Sequence, residues 1–572
     1  MTVNLTIAKM FSEIADLLEL KEENPFKIRA YRNAALTLEN LREDINEIAQ
    51  RDELTKLPGI GKDLSERIKE FLNTHKMKVY EELKKEVPQV LLKMKSIPGV
   101  GPKRALLIQK KLKIKNMDQL ETMARNHKLQ TIPGIRGKLE ENILKGLDFL
   151  KKTQNRFPLD YGVPVANDIV GSLTKLKEVK EVSVAGSVRR RKETIHDVDI
   201  LVTATNSKRV MDGFVHLQIV GDVLAEGETK SSVRTINGLQ VDLRVVDPGC
   251  YGAALMYFTG SKEHNIRLRD LAKKKGYKLN EYGLFSEKTG KLISSKTEEE
   301  IYKALGLDYV PPELREDQGE IEASMKHKLP HLVTEKQIRG DFHSHTNETD
   351  GEDSLEAMVE AARGYGLEYL VITDHSKSLT IANGMNEKRV FKRIEEVRKI
   401  NKKLKGFVLL AGSEVDILED GFLDYQNDVL KELDFVVASV HSHFKQSKEK
   451  MTDRIMKAME NKHVNLIGHP TGRLIGTREA YEVDMNRVIK HAKETNTALE
   501  INAQPKRLDL SDVLIHQAVE TGAMLAISSD SHSKGQFDYL SYGVSEARRG
   551  WCQANNLLNT LTLSELRRKI KK

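Results

Sequence analysis

Two groups of residues could carry chemistry in this chain of 572 residues, and they lie in different halves of it. In the first half, Asp197 and Asp199 occupy the stretch HDVDILV, and Asp242 occupies QVDLRVV. Side chains alternate between the faces of a strand, so Asp197 and Asp199 share one face while Val198, Ile200 and Val202 pack beneath them. Asp242 is placed in the same way, with Val241, Leu243 and Val245 pointing the other way, and the three acids can meet on one sheet face. Such a cluster is unfavourable until divalent cations neutralise it, and two ions roughly 4 Å apart suit in-line phosphoryl transfer. Upstream, VAGSVRRR puts Gly186 and Ser187 in a tight turn with arginines after it, a cradle for a triphosphate.

In the second half, GDFHSHTNETDG places His343 and His345 one residue apart, with Asp341 before them and Asp350 after them. Later apolar segments end on His375, Glu414, His441, His469, Asp530 and His532. These nine ligands are too many for one ion. Imidazole mixed with carboxylate suits Mn²⁺, Zn²⁺ or Fe²⁺ and leaves positions open for water and phosphate, so two or three ions are implied. The two cysteines, Cys250 and Cys552, are far apart and belong to no motif, which argues against a disulfide framework or a thiolate zinc site.

These residues need elements to position them. Residues 1 to 150 show apolar residues at spacings of three and four, as in IAKMFSEIADLLEL and LSERIKEFL, and predict helices. Strand signals begin near EVSVAGS and continue through VDILVTA, LQIVGDVLA and LQVDLRVV, an α+β block. After residue 338, IRGDFHSH, YLVITDH, FVLLAGSEV, DFVVASVHSH, NLIGHP, ALEIN and LAISSDSH alternate with helical stretches. That pattern predicts a seven-stranded β/α barrel with its site at the carboxyl ends of the strands.

Charge follows the same division. Up to residue 315 there are 55 Lys and Arg against 44 Asp and Glu, then 37 against 40, while 12 of the 17 histidines follow residue 315. A basic half able to hold nucleic acid therefore precedes a histidine-rich half able to hold metal. LPGIGK, IPGVGP and IPGIRG repeat a Pro-Gly turn between helical patterns and resemble helix-hairpin-helix motifs, which grip DNA backbones without reading sequence. Gly59, Gly61, Gly99, Gly101 and Lys62 are the expected backbone contacts, through N–H groups freed at the second helix. The third repeat is the weaker one, because Arg136 stands where glycine is expected.

GSVRRR, DVDIL, VDLRVV and YFTGSKEHNIRLR, in this order and spacing, resemble the family X DNA polymerases of the DNA polymerase beta type, from about residue 5 to 310. The resemblance implies two Mg²⁺ or Mn²⁺ ions, both bound by Asp197 and Asp199, with Asp242 on the ion that activates the primer 3′-hydroxyl. Gly186, Ser187, Arg190 and Arg156 would hold the triphosphate of a dNTP. Tyr257, Phe258 and Gly260 would line the sugar pocket and leave no room for a 2′-hydroxyl, and Asn265 and Arg269 would touch the incoming base and the template minor groove. Two positions depart from the pattern. Gln240 replaces a basic residue that members often carry, and Arg67 stands where a lyase lysine is expected. A guanidinium stays protonated and cannot form a Schiff base, which leaves Lys62 or Lys69 as substitutes.

The set HSH, TDH, GSE, SVH, GHP and SDSH resembles the PHP (polymerase and histidinol phosphatase) domain over residues 336 to 570. By that likeness Asp374, Glu500 and Asn502 would support the ligands, and Lys506 or Arg507 could meet a phosphate. The expected architecture is a multidomain chain with an all-α helix-hairpin-helix N-terminal region, an α+β nucleotidyltransferase palm and thumb, and a distorted (β/α)7 PHP barrel. Its expected divisions are a lyase-like helical domain (1–85), a fingers-like domain (86–150), palm (151–247), thumb (248–315), linker (316–337) and barrel (338–572). The expected function is filling short gaps in DNA repair, on gapped or nicked double-stranded DNA with dNTPs. The barrel would act as a 3′-5′ exonuclease and an abasic-site (AP) endonuclease. Its alternatives are a small-molecule phosphatase and a structural metal domain that braces the polymerase. No run of 18 apolar residues occurs and the N-terminus does not read as a signal peptide, so a cytoplasmic, nucleoid-associated bacterial monomer without membrane contact is expected.

Overall fold

The computed structural model describes residues 2–39, 41, 43–95, 97, 100–153 and 156–570. From Thr2–Leu20 to Gly137–Thr153 the chain is helical. Ile7, Phe11, Ile14 and Leu18 recur on one face of the first helix and are buried, with Phe11 edge-on to Tyr31 of the second helix at 5.4 Å. The three hairpins share one turn: the amides of Ile60, Val100 and Ile135 donate to the carbonyls of Leu57, Ile97 and Ile132. Gly59 and Gly134 take a positive φ, +72° and +86°, which favours glycine. Gly61 and Gly101, by contrast, cap the following helices at φ −81° and −75°, a backbone any residue adopts. Arg136 at the matching place in the third repeat is therefore compatible with the turn, contrary to the expectation of a weaker hairpin. Gly99 lies outside the described residues.

The next sheet has five strands in the spatial order Val179–Val184, Asp197–Ala204, Gln240–Val246, Lys230–Thr235 and Val220–Ala225. Only the second and third run parallel, and their register sets Asp199 opposite Asp242. Val198, Ile200, Val202, Val241 and Leu243 pack downward with Ile169 and Phe214 of two helices, which leaves the acids on the open face. The strand KSSVRT escapes sequence reading because it lacks an apolar alternation; its hairpin partners hold it. Helices Tyr251–Thr259 and Lys262–Lys274 and a three-stranded antiparallel sheet follow. Residues 315 to 325 pack back on this unit: buried Arg315 pairs with Glu298 at 2.6 Å and Glu320 with His264 at 2.6 Å.

In the second half, seven parallel strands pair in sequence order from Gly340–Asp341 to Leu525–Ser528. Their residues alternate between an inner core that includes Phe342, Val371, Phe435 and Val437 and an outer core under the helices that includes Leu370, Ile372, Val436 and Ala438. Burial on both faces explains why these strands read as unbroken apolar runs. A bridge between Ser344 and Ser531 and the side chain of Asn559 close the seam between first and last strands. Asn559 Nδ2 donates to Gly340 O (2.8 Å) and Ile527 O (2.7 Å), and its Oδ1 accepts from Ile527 N (2.7 Å). Among the described residues no helix is long and apolar enough to cross a membrane.

The halves are docked by ion pairs. Arg473 reaches Glu193 at 2.8 Å, Arg548 reaches Glu313 at 2.8 Å, and Arg549 reaches Glu316 at 3.0 Å.

Asn559→Leu keeps the side-chain size but orphans three buried backbone groups at the seam. It is expected to cost about 3 kcal/mol, at roughly 1 kcal/mol or more for each lost partner, and to weaken metal binding by loosening His343 and His345 against Asp530. Denaturant unfolding with and without Mn²⁺ measures both effects.

Candidate active sites

Asp197 and Asp199 lie one pleat apart on their strand, and Asp242 faces Asp199 from the parallel neighbour. Burial pushes the Asp199 carboxyl up to about 7, and repulsion from Asp197 and Asp242 adds to it. Asp197 is raised by burial and by Asp242. Burial acts on Asp242 in the same direction, but hydrogen bonds from Lys230, Gln240 and Ser232 outweigh it and hold this carboxyl below the usual range. Lys230 Nζ is 2.8 Å from Asp242 Oδ2 and Gln240 Nε2 is 3.0 Å from Oδ1. Three carboxylates with one ammonium leave an excess of negative charge that divalent cations would balance, and this donor set fits hard cations. Gly186 is obligatory beside it: φ is +60°, and a Cβ there would come 2.2 Å from Asp199 Oδ2.

A cavity of about 550 Å³ opens over these acids. Arg156, Gly186, Ser187, Arg190, Tyr257, Phe258, Gly260, Asn265 and Arg269, all singled out in the sequence, line it together with Asp197 and Asp199. Arg156 is braced by Thr194 and His196, its Nη1 2.7 Å from His196 Nε2. Arg190 Nε donates to Glu316 at 3.0 Å and its Nη1 to Thr259 O. Arg549, from a barrel helix, donates to the same Glu316 oxygen and to Arg190 O at 2.8 Å. Asn265 Nδ2 donates to Tyr257 O at 2.7 Å and fixes the turn through Gly260, whose φ is +72°. Arg244 stacks over Phe258 at 4.5 Å. In the helical region Arg67 lies 3.7 Å from Asp63 and 3.6 Å from Glu70, and Lys69 pairs with Asp52.

The barrel strand ends bring together all nine ligand candidates. Three groups have ligand atoms within 4.8 Å of one another: His345, Asp350, His375 and His532; His343, His345 and Asp530; and His375, Glu414 and His441. Glu414 stands in the middle, 3.0 Å from His469 Nε2, 3.2 Å from His441 Nε2 and 3.3 Å from His343 Nε2. His343 Nε2 and both ring nitrogens of His345 are buried and make no hydrogen bond among the described residues. His345 Nε2 nevertheless lies 3.3 Å from Asp530 Oδ1. Buried lone pairs converging with carboxylates in this way fit cations, and shared ligands fit more than one. Burial, with the charges of His532 and His375, drives the His345 imidazole down to about 3, so it stays neutral. His469 and Asp530 hold φ values of +26° and +50°, backbone strain placed at ligand positions.

A supporting shell orients them. Glu500 accepts from His343 Nδ1 at 2.7 Å and from the His469 amide, while Asn502 donates to Glu500 and Asp530. Asp374 is no nearer than this shell: it accepts from Thr346 and Thr349 and pairs with Arg393 at 3.2 Å. Asp416 was not anticipated, whereas Asp341 stood in the sequence just before the two histidines. Asp416 holds His441 Nδ1, and Asp341 accepts from Ser529. Position was the available signal for Asp416, two residues after Glu414 on one strand and so on the same face. His443 is half exposed and lies 3.5 Å from Glu419, outside the cluster.

Comparisons with known proteins agree with this layout. Residues 3–77 match a helix-hairpin-helix domain, 91–148 a SAM-like helix-hairpin-helix tandem, 254–316 the DNA polymerase beta thumb and 341–504 the PHP domain. The chain is 38% identical over 562 residues, 98% of both chains, to the DNA polymerase/3′-5′ exonuclease PolX of Bacillus subtilis. A probable phosphatase of Caldanaerobacter subterraneus subsp. tengcongensis is 30% identical over 214 residues, 35% of this chain and 79% of its own. A probable phosphatase of Caldicellulosiruptor bescii is 31% identical over 190 residues, 32% of this chain and 74% of its own. Near full-length similarity to a two-activity enzyme, with both acid clusters assembled, places the chain: it belongs to the family X DNA polymerases that carry a C-terminal PHP domain.

Proposed function

We propose that this protein is a DNA-directed DNA polymerase that fills short gaps in repair, and that its barrel is a metal-dependent 3′-5′ exonuclease and AP endonuclease. The carrying observation is the register of Asp199 against Asp242 beneath a cavity lined by all nine nucleotide-binding candidates. Asp197, Asp199 and Asp242 would hold Mg²⁺ or Mn²⁺, which when bound offsets phosphate charge and favours ionisation of the attacking hydroxyl. Arg190, Arg156 and Ser187 hold the triphosphate in line, and preorganised cations there stabilise charge that develops on it. Gly260 brings backbone against the sugar. Gly59, Gly61, Gly101 and Lys62 at open helix starts hold the DNA backbone. The protein would act as a monomer in the bacterial cytoplasm.

In the barrel, His343, His345, Asp350, His375, Glu414, His441, His469, Asp530 and His532 would hold two or three Mn²⁺, Zn²⁺ or Fe²⁺ ions, which activate water when bound. Glu500 and Asp416 fix the tautomers of His343 and His441, and Arg507, 3.5 Å from Asp530, stands ready for a phosphate. The similarity of the barrel to two probable phosphatases supports a second reading, release of phosphate from small esters.

Asp242→Ala is expected to lower primer extension on a gapped, 5′-phosphorylated duplex by roughly 10³-fold while leaving exonuclease unchanged. His343→Ala is expected to do the reverse. Both variants, assayed on gapped and on abasic duplexes with Mg²⁺ or Mn²⁺, test the two assignments separately, and phosphate release from small esters without strand cutting would favour the second reading.

Metal is also expected to bind the folded barrel in preference to the unfolded chain. Mn²⁺ at a hundred times its dissociation constant would stabilise it by about 2.7 kcal/mol, seen as a rise in melting temperature that Asp530→Ala reduces.

A further inference from the structure

Three clefts run in series between the two sites. Arg156, on the wall of the nucleotide cavity, also lines a second cleft of about 610 Å³ between the palm and the barrel loop 473–480. The second cleft shares Pro158, Leu474 and Lys506 with a third, of about 660 Å³, whose lining includes Asp530 and His532 of the barrel cluster. One wall of contacts runs beneath them. Arg156 bonds Thr194 at 2.7 Å, the neighbouring Glu193 takes Arg473 at 2.8 Å, Arg473 Nε donates to Arg507 O at 2.9 Å, and Arg507 Nε is 3.5 Å from Asp530.

The second cleft has an excess of cations, Arg156, Arg473, Arg478 and Lys506 against Glu193 and Glu479, and the third adds aromatic side chains, the two features of a single-stranded nucleic-acid track. Lys506, where the second and third clefts meet, is exposed and makes no ion pair among the described residues. Phe157 and Tyr161 stack at 5.5 Å and 25°, and Tyr539 and Tyr542 line the same third cleft. Each cleft has the volume of a small-molecule site, enough for nucleotides of one strand.

We propose that these clefts form one groove that carries the unpaired 3′ end of a DNA strand from the palm to the barrel, so that a mispaired terminal nucleotide is removed without release of the DNA. In the removal step water adds to the terminal phosphorus, the 3′ oxygen of the preceding nucleotide leaves and takes up a proton, and a nucleoside 5′-monophosphate departs. The proposal rests on the assignment of both activities above.

The test uses the full chain bound to a gapped duplex whose primer ends in a mismatch, started with Mn²⁺, dNTPs and excess heparin as a trap. The parent protein is expected to trim and extend the primer in one encounter. Thr477→Glu combined with Ala480→Glu puts carboxylates into the second cleft at exposed positions. This variant is expected to lose trapped trimming at least tenfold, with matched extension and untrapped digestion of a free single strand within twofold. Equal trimming by the variant, or none by the parent under the trap, overturns the groove. A photoreactive nucleotide at the mismatched 3′ end, in metal-free protein, gives a readout independent of activity. Labelling of residues 157–161 or 539–542 is expected, and labelling confined to the nucleotide cavity overturns the proposal. If the parent fails to digest a free single strand, the nuclease reading falls, and the cross-link still decides the route.

Discussion

Ionisable groups packed side by side govern this molecule. Asp197, Asp199 and Asp242 are forced together by a strand register, and the barrel packs buried imidazoles round Glu414 and Asp530. Neither arrangement would persist on a flexible loop, because repulsion among the three acids, and the desolvation of the imidazoles and carboxylates in the barrel, would part the groups. Strands with apolar undersides hold them: burying Val198, Ile200, Val241 and Leu243 leaves the acids no other face. The unfavourable electrostatics are a reservoir that bound cations relieve.

The same economy of support links the two halves. Arg190, which lines the cavity beside Asp197 and Asp199, is fixed by Glu316, and Glu316 is shared with Arg549 from the barrel. Arg549 is itself buried and tied to Asp512. A barrel helix is therefore part of the frame of the polymerase cavity. Arg473 and Glu193 make a second such tie, beside Arg156. The junction of the two domains is built of charged pairs, one of which, Arg473 with Glu193, lines the cleft beside Arg156, so the barrel is seated on the palm rather than trailing from it.

The helical region shows how local rules and long-range context divide the work. The turn repeated at residues 57–60, 97–100 and 132–135 is set by one carbonyl-to-amide bond, and two of its glycines, Gly59 and Gly134, are demanded by backbone angle. Arg136 looked like a defect in sequence because identity was compared where conformation mattered. At Arg67, chemistry matters more than conformation: a guanidinium paired with Asp63 and Glu70 cannot do a lysine's work.

Much of the architecture was legible in the residues alone. Periods of two and near four separated strands from helices, strand ends rich in His, Asp and Glu announced a barrel-mouth site, and the nine ligand candidates and nine cavity-lining residues could be named by number. These are local signals, written within a few residues of the group they concern. Partners distant in sequence decided the rest. Lys230 reaches Asp242 from a strand without an apolar pattern, Asn559 closes a seam 219 residues from Gly340, and Arg549 meets Arg190 across 359. Contacts of that kind leave no period in the sequence, because each depends on where the folded chain brings two segments together. The groove between the sites has the same origin, since its walls belong to segments that only tertiary packing sets face to face.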